Sequence, residues 1–304
     1  MNRSETIPLS SLTTFRLGGP STVITVEGRD GLPAILGGGV SGVRWLGKGA
    51  NLLVSDAGSS LPIARLGAAF AQIEVRGQRD GRTIVAAGAA ADLAVLISRC
   101  VAGGLAGPEG LAGVPATVGG ALRMNAGTST CWMLDYVARC EVVLPGEDAP
   151  RWIERAAMPA AYRSCGLPPG TVFLGCELEL APGDPETLRA TAGRLKKAKA
   201  ASQPLALPSA GCVFKNPRPD LPAGKLIDQL GLKGTRIGGC TISPVHGNFI
   251  VNDHDGAAAD VCALVRLIRS RAWTEAGVDL RMEVETWDLP DDLRAPPGDL
   301  GVAA

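Results

Sequence analysis

Aromatic residues make up only 4% of this 304-residue chain, histidine occurs twice, and 30 Lys and Arg balance 30 Asp and Glu to a formal net charge of zero. Balanced charge leaves no field that would draw the whole molecule to nucleic acid or to an anionic membrane, so neither is expected as a partner. The eight cysteines, at 100, 131, 140, 165, 176, 212, 240 and 262, form no C-x-x-C pair, and His246 and His254 are the only imidazoles. Neither a zinc cage nor a small disulfide scaffold fits, and no metal is expected. No run reaches the ~18 uncharged apolar residues of a membrane helix. The best stretch, Gly103 to Met124, carries Pro108, Glu109, Pro115 and Arg123. The opening MNRSETIPLSSLTTF lacks the apolar centre of a signal peptide. These absences point to a cytoplasmic protein with free thiols.

Glycine is abundant, with 40 residues, about twice the usual ~7% and without a Gly-X-Y period. Such a load implies tight turns, or backbone that must approach a ligand closely. Apolar residues at 46% supply a sizeable core. Segments 21–28, 73–77, 83–89, 140–146 and 171–181 read as strands, with an Asp80-Gly81 turn joining the second to the third, and 43–56 reads as a strand, a glycine turn and then an apolar run. Residues 31–37 read as a short helix. Residues 91–105 have apolar residues at helical spacing and stop at Gly103-Gly104. A basic amphipathic helix at 185–204 ends at Pro204. After it come a turn-rich stretch, a strand at 249–252, a helix at 257–277 and a strand at 279–289. The order gives one α+β region to about residue 200 and a smaller one at about 205–290. The Pro/Gly/Asp-rich residues 290–304 read as a disordered tail.

Two glycine loops could cradle an anion. The first, Leu46-Gly47-Lys48-Gly49-Ala50-Asn51-Leu52-Leu53, directly follows a strand. It is neither a P-loop nor a Rossmann fingerprint, since G-x-x-x-x-G-K-[ST] is absent and Leu52 stands where a third glycine would. Its glycines would still let backbone N–H groups line up on a phosphate. The second runs from Gly110 through Gly113, Pro115, Ala116, Thr117, Gly119 and Gly120 to Asn125-Ala126-Gly127. Two such loops about 65 residues apart favour a dinucleotide over a mononucleotide.

These loops, with Thr13-Thr14-Phe15-Arg16-Leu17-Gly18-Gly19-Pro20, Tyr162-Arg163-Ser164, Gly211-Cys212-Val213-Phe214-Lys215-Asn216-Pro217, Ala223-Gly224-Lys225-Leu226-Ile227-Asp228, His246-Gly247-Asn248-Phe249-Ile250-Val251-Asn252 and Glu283-Val284, make the chain resemble the UDP-N-acetylenolpyruvoylglucosamine reductases. The motifs run in the family's order over about residues 10–288. The resemblance implies an α+β fold of the vanillyl-alcohol-oxidase type. Two FAD-binding subdomains would span 1–65 and 66–204, followed by a substrate domain at 205–289. It implies FAD held without a covalent link, NADPH as hydride donor, a nucleotide-sugar substrate and a monomer. The reaction is reduction of an enolpyruvyl ether in peptidoglycan precursor synthesis: hydride reaches C3, and C2 must then be protonated.

By position in the motifs, Arg163 matches the family's catalytic arginine, suited to holding the substrate carboxylate. Glu283 matches its assisting glutamate. Cys212 stands where the family uses a serine proton donor; a thiol, with an ordinary pKa of ~8.5, can donate too. Asn216 is the expected substrate contact. Gly47, Lys48, Gly49, Ala50, Asn51, Leu52, Gly113, Pro115, Ala116, Thr117, Gly119, Gly120, Asn125 and Gly127 are the expected FAD contacts. Val245 replaces a lysine that the family often carries before His246, and Thr128-Ser129-Thr130 replaces its usual Ala-Tyr-Gly. Arg163 and Cys212 are only 49 residues apart, which leaves no room for a long substrate-clamping loop and makes the chain resemble the family's shorter branch. Two other readings remain at this point: an FAD-dependent oxidase of another hydroxylated small molecule, and a non-catalytic nucleotide-binding relative.

Overall fold

The Asp80-Gly81 turn forms as its sequence demands. Both residues adopt positive φ, 50° and 74°, the pairing that a two-residue hairpin turn requires. In the computed structural model, which describes residues 2–37, 42–128 and 131–295, this turn joins strands Ile73–Arg79 and Arg82–Gly88. They belong to a six-stranded antiparallel sheet centred on the long strand Val172–Pro182. That strand separates two cores. Phe173, Cys176, Leu178 and Leu180 pack into one cluster with Leu96, Ile97, Leu111 and Leu122. Val172 and Leu174 pack into another with Val26, Leu36, Ala64 and Phe70. Its first half, Val172 to Cys176, is therefore apolar on both faces, whereas Glu177 and Glu179 beyond it alternate outward to pair with Arg139 and Arg79. A four-stranded sheet, whose strands Pro20–Val26, Arg44–Trp45 and Ile63–Leu66 run parallel, lies beyond the second cluster.

Helix Leu93–Ala102 buries Leu93, Leu96, Ile97, Cys100 and Val101 along one stripe. Asp92 caps its N-terminus by accepting the Ala94 N–H at 2.8 Å. Gly104, at φ 65°, follows its end. The short helix Val118–Arg123 begins at Thr117, whose hydroxyl accepts the Gly120 N–H. Neither the sequence periodicity nor the glycine content announces that helix, because a six-residue stretch with two glycines shows no amphipathic pattern.

The chain divides into two units, each assembled from separated stretches. The first holds Met1–Glu5, Thr22–Lys48 and Leu61–Ala198; the second holds Thr6–Ser21, Gly49–Ser60 and Lys199–Ala304. The expected consecutive boundaries at 65 and 204 do not describe this division. Phe15, Leu17 and Leu53 are buried in one cluster with Val213, Phe214, Leu264 and Val265. Strand Leu52–Val54 pairs in parallel with Glu285–Trp287. Burial of those apolar residues takes 6–21 and 49–60 into the second unit.

Within the second unit, helices Ala223–Gln229 and Ala258–Ala276 accompany a three-stranded sheet of Arg236–Ile237, Cys240–Ile242 and Ile250–Asn252. The strand expected over 279–289 is regular only at Glu285–Trp287. Upstream, its backbone serves single partners: Leu280 accepts from Arg269, Arg281 accepts from the Lys215 N–H, and Glu283 donates to Val213. Disorder was expected from residue 290, but Asp291–Leu293 form a 3-10 turn with Leu293 buried. The Arg269 guanidinium, 2% exposed, donates to the carbonyls of Leu280, Leu293 and Ala295 at 3.0, 2.9 and 2.5 Å. Residues 296–304 lie outside the described residues. All eight cysteines are free.

Candidate active site

In the second unit the first glycine loop is built around Gly49. It sits at φ 63°, and a Cβ there would drive into the Leu12 carbonyl and lie 2.9 Å from Thr13 Cα. The opening motif explains itself here. The Thr14 N–H donates to Gly49 O at 3.1 Å, and its hydroxyl donates to Ser209 O at 2.7 Å. Residues 12–14 therefore back the loop and tie it to the segment leading to Cys212.

Cys212 is half-buried, the other cysteines buried. Its strand-like segment is held on both sides. Cys212 bridges Phe249, and Val213 N–H donates to Asn248 O at 2.9 Å. Buried Asn248 also clamps Phe214, accepting from its N–H at 2.9 Å and donating to its carbonyl at 2.8 Å. On the opposite side Glu283 N–H donates to Val213 O at 2.8 Å. The Phe214–Met282 bridge continues this pairing, so the segments that carry Cys212 and half-buried Glu283 run side by side. Asn51 adds a third element: its Nδ2 donates to Glu283 O at 3.1 Å, and its own carbonyl accepts from Glu285 N–H at 3.0 Å. The side chain expected to touch a cofactor thus positions the glutamate segment.

Asn216 is exposed, and its Oδ1 accepts the Ala223 N–H at 3.0 Å, capping the following helix. His246 accepts the Asn248 N–H on Nδ1 at 3.2 Å, which leaves the proton on Nε2. Burial holds its pKa below the ordinary value, so it is neutral at pH 7. Val245 is exposed.

In the first unit Gly47 lies against the second loop: a Cβ at Gly47 would stand 2.7 Å from Thr117 Oγ1. Lys48 forms an ion pair with Asp92. Burial opposes the Asp92 charge, but Lys48 and the Ala94 N–H outweigh it and hold its carboxyl below the ordinary range. Gly119 packs tightly, donating to Ala89 O at 2.8 Å, and a Cβ there would meet Ala89 Cβ at 2.9 Å. Gly113 needs φ 82°. Gly120 has room, its nearest neighbour for a Cβ being Thr117 Oγ1 at 3.4 Å.

The Tyr162-Arg163 motif forms the tip of a tight hairpin, with Ala161 and Ser164 exchanging backbone hydrogen bonds of 3.0 and 3.1 Å. Arg163 sits at φ 57°, a left-handed conformation uncommon outside glycine. Its Nη1 donates to Gly127 O at 3.4 Å, and its guanidinium lies 5.2 Å from the Tyr162 ring centre. The second loop and the arginine motif therefore meet in space. The stretch 128–130, where the family's tyrosine is missing, is described only at Thr128.

The donor chemistry of both loops fits a diphosphate-bearing cofactor such as FAD. Among the described residues, the backbone N–H groups of Gly47 and Lys48 in the first unit, and of Gly49, Ala50 and Asn51 in the second, donate to no protein acceptor. Those of Gly113, Ala116 and Thr117 are likewise unspent. Unpaired N–H groups on glycine-rich turns are the donors that a phosphate takes up. Among the described residues, no group of three or more His, Cys, Asp or Glu could hold a metal ion. No helix of theirs is long and apolar enough to cross a membrane.

Comparison with known proteins agrees with this chemistry. A family model described as the C-terminal domain of UDP-N-acetylenolpyruvoylglucosamine reductase matches residues 203–287, and one described as an FAD binding domain matches residues 41–149. The UDP-N-acetylenolpyruvoylglucosamine reductase of Anaeromyxobacter dehalogenans is 41% identical over 299 residues, covering 96% of this chain and 88% of its own. That of Deinococcus radiodurans is 38% identical, covering 96% and 97%. The crystal structure of the enzyme from Thermus caldophilus superposes with a TM-score of 0.82 at 36% identity, covering 94% of this chain and all of its own.

Proposed function

The chain belongs to the UDP-N-acetylenolpyruvoylglucosamine reductase family, and from that membership we propose how its own residues divide the reaction. The protein is a flavoenzyme of the vanillyl-alcohol-oxidase fold that uses NADPH to reduce UDP-N-acetylglucosamine enolpyruvate to UDP-N-acetylmuramate in peptidoglycan precursor synthesis. FAD supplies the hydride relay between NADPH and C3 of the enolpyruvyl group when it is bound. The unspent backbone donors of Gly47, Lys48, Gly113, Ala116 and Thr117 would hold its diphosphate.

The residues of the chain handle charge and the proton. As C3 gains hydride, negative charge develops at C2 and spreads into the carboxylate. Arg163 binds that carboxylate and stabilises the charge, with Glu283 assisting its polarisation. Cys212 then gives its thiol proton to C2, and the resulting thiolate is reprotonated from water. Asn216 contributes to substrate binding through the part of its amide not used in capping Ala223. One observation supports the assignment: the hydrogen bond from Glu283 N–H to Val213 O lays the glutamate segment along the segment that carries Cys212. As a soluble biosynthetic enzyme it would act in the cytoplasm as a monomer.

An anaerobic titration tests the function. Purified protein should be yellow, bleach with NADPH and regain its colour on addition of the enolpyruvyl substrate. Reduced protein that stays bleached with substrate but recolours in air would favour an oxidase. Colourless protein that binds nucleotide would favour a non-catalytic relative.

A further inference from the structure

Asn125 was expected to touch the cofactor, but the structure gives its side chain other work. It is 6% exposed and sits at φ 41°, a left-handed conformation that asparagine tolerates better than most residues. Its Oδ1 accepts the Leu134 N–H at 3.1 Å, and its Nδ2 donates to Ala161 O at 3.3 Å. Ala161 is the first residue of the hairpin whose tip is Arg163. Two residues beyond Asn125, Gly127 O accepts from Arg163 Nη1 at 3.4 Å. The loop therefore grips the hairpin twice, at its base through the Asn125 amide and at the guanidinium through a carbonyl. Gly127 is fixed in turn by its bridge to Trp132, and Ala126 by its bonds to Ala121 and Met133. Trp132 closes the third side, edge-on to Tyr162 with ring centres 5.8 Å apart.

We propose that Asn125 is a positioning residue for Arg163: its amide locks the hairpin base to the second glycine loop, so that the left-handed Arg163 presents its guanidinium in one place. This rests on the reading of Arg163 as the group that binds the substrate carboxylate. A flexible arginine would still attract the carboxylate. A fixed one stabilises the developing charge without reorganising, and displacement by about 1 Å costs up to 10²-fold in rate. Backbone strain held at two points of one network is the pattern of a preorganised site.

The test uses purified holoenzyme and the variants Asn125→Asp, Arg163→Ala and the double variant. Aspartate tolerates the same φ and keeps the acceptor for Leu134, but loses the donor to Ala161. Asn125→Asp should retain full flavin content and normal flavin reduction by NADPH. Oxidation of the reduced enzyme by substrate should slow by about 10- to 100-fold. In the Arg163→Ala background, Asn125→Asp should slow that half-reaction no further. Additive losses in the double variant, flavin loss, or wild-type oxidation by Asn125→Asp would each overturn the proposal. Wild-type oxidation by Arg163→Ala would instead remove the reading of Arg163 itself, so the two failures are distinct. If Asn125→Asp does not fold, Asn125→Gly suits the backbone, removes both side-chain bonds and carries the same expectations.

Discussion

Cys212 differs from the other cysteines by exposure alone, and that decides its chemistry. Burial pushes the thiols of Cys100, Cys140 and Cys240 up to about 12 and that of Cys262 to about 11. These groups stay protonated and shielded at pH 8, and a thiol that cannot ionise does not attack a disulfide reagent. Native holoenzyme should therefore react quickly with about one equivalent of an aromatic disulfide reagent at pH 8, and with all eight thiols only after denaturation. Cys212→Ser should abolish the fast phase; persistence of that phase would place the reactive thiol elsewhere. The same substitution should leave substantial turnover, since a hydroxyl can also donate a proton. Cys212→Ala should slow oxidation of the reduced enzyme by substrate about 10²- to 10⁴-fold while flavin reduction by NADPH continues. Wild-type turnover by the alanine variant would reduce Cys212 to packing. The serine-to-cysteine departure was legible in the sequence. The bond from Glu283 N–H to Val213 O was not, because it joins residues 70 apart.

Among the elements, helix Ala258–Ala276 depends on a residue that its periodicity hides. Arg269 lies on the buried stripe with Val265 and Ile268, where sequence pattern expects an apolar side chain. Its guanidinium is tolerated because it meets Asp279 and the carbonyls of 280, 293 and 295. Arg269→Leu would leave those buried acceptors unpaired, at a cost of about 3 kcal/mol or more. The thermal midpoint should fall on the order of 10 °C, and a change within 2 °C would contradict the argument. The hairpin Arg236–Ile237/Cys240–Ile242 is tied to the following strand by charge. Arg236 forks onto Asp253 at 3.0 and 2.7 Å, and Thr241 adds a bond at 3.0 Å. The Arg236 fork, against the opposing effect of burial and with help from His254 and Thr241, lowers the Asp253 carboxyl to about 2. Because the folded pKa lies below the unfolded one, the contribution is complete above about pH 4 and is lost as pH falls towards 2. Asp253→Asn should lower the melting temperature at pH 7, and the difference from wild type should shrink towards pH 2. A difference that persists unchanged at pH 2 would show that the carboxylate charge is not its source.

For the molecule as a whole, the glycine loops leave backbone donors unspent, among the described residues those of Gly47, Lys48, Gly113, Ala116 and Thr117 in the first unit. A ligand that satisfies them binds only the folded state and must stabilise it, by about 2.7 kcal/mol at a hundredfold excess over its dissociation constant. Stripping the flavin should lower the melting temperature, and added FAD should restore it in a concentration-dependent way. An apoprotein that melts like the holoenzyme would detach these loops from cofactor binding. The sequence by itself determined the α+β class, the Asp80-Gly81 hairpin, the Leu93–Ala102 helix, both glycine loops and the motif positions of Arg163, Cys212 and Glu283. Each of these is written in local periodicity, in turn chemistry or in short spacing along the chain. Only the tertiary structure decided that 6–21 and 49–60 leave their sequence neighbours for the second unit. It also gave the Asn51 and Asn125 side chains distant backbone partners, Glu283 O for one and Leu134 N–H and Ala161 O for the other, and drew residues 290–295 into the fold around Arg269. Those outcomes depend on which distant carbonyl or apolar surface a side chain meets, and separation in sequence carries no record of such encounters.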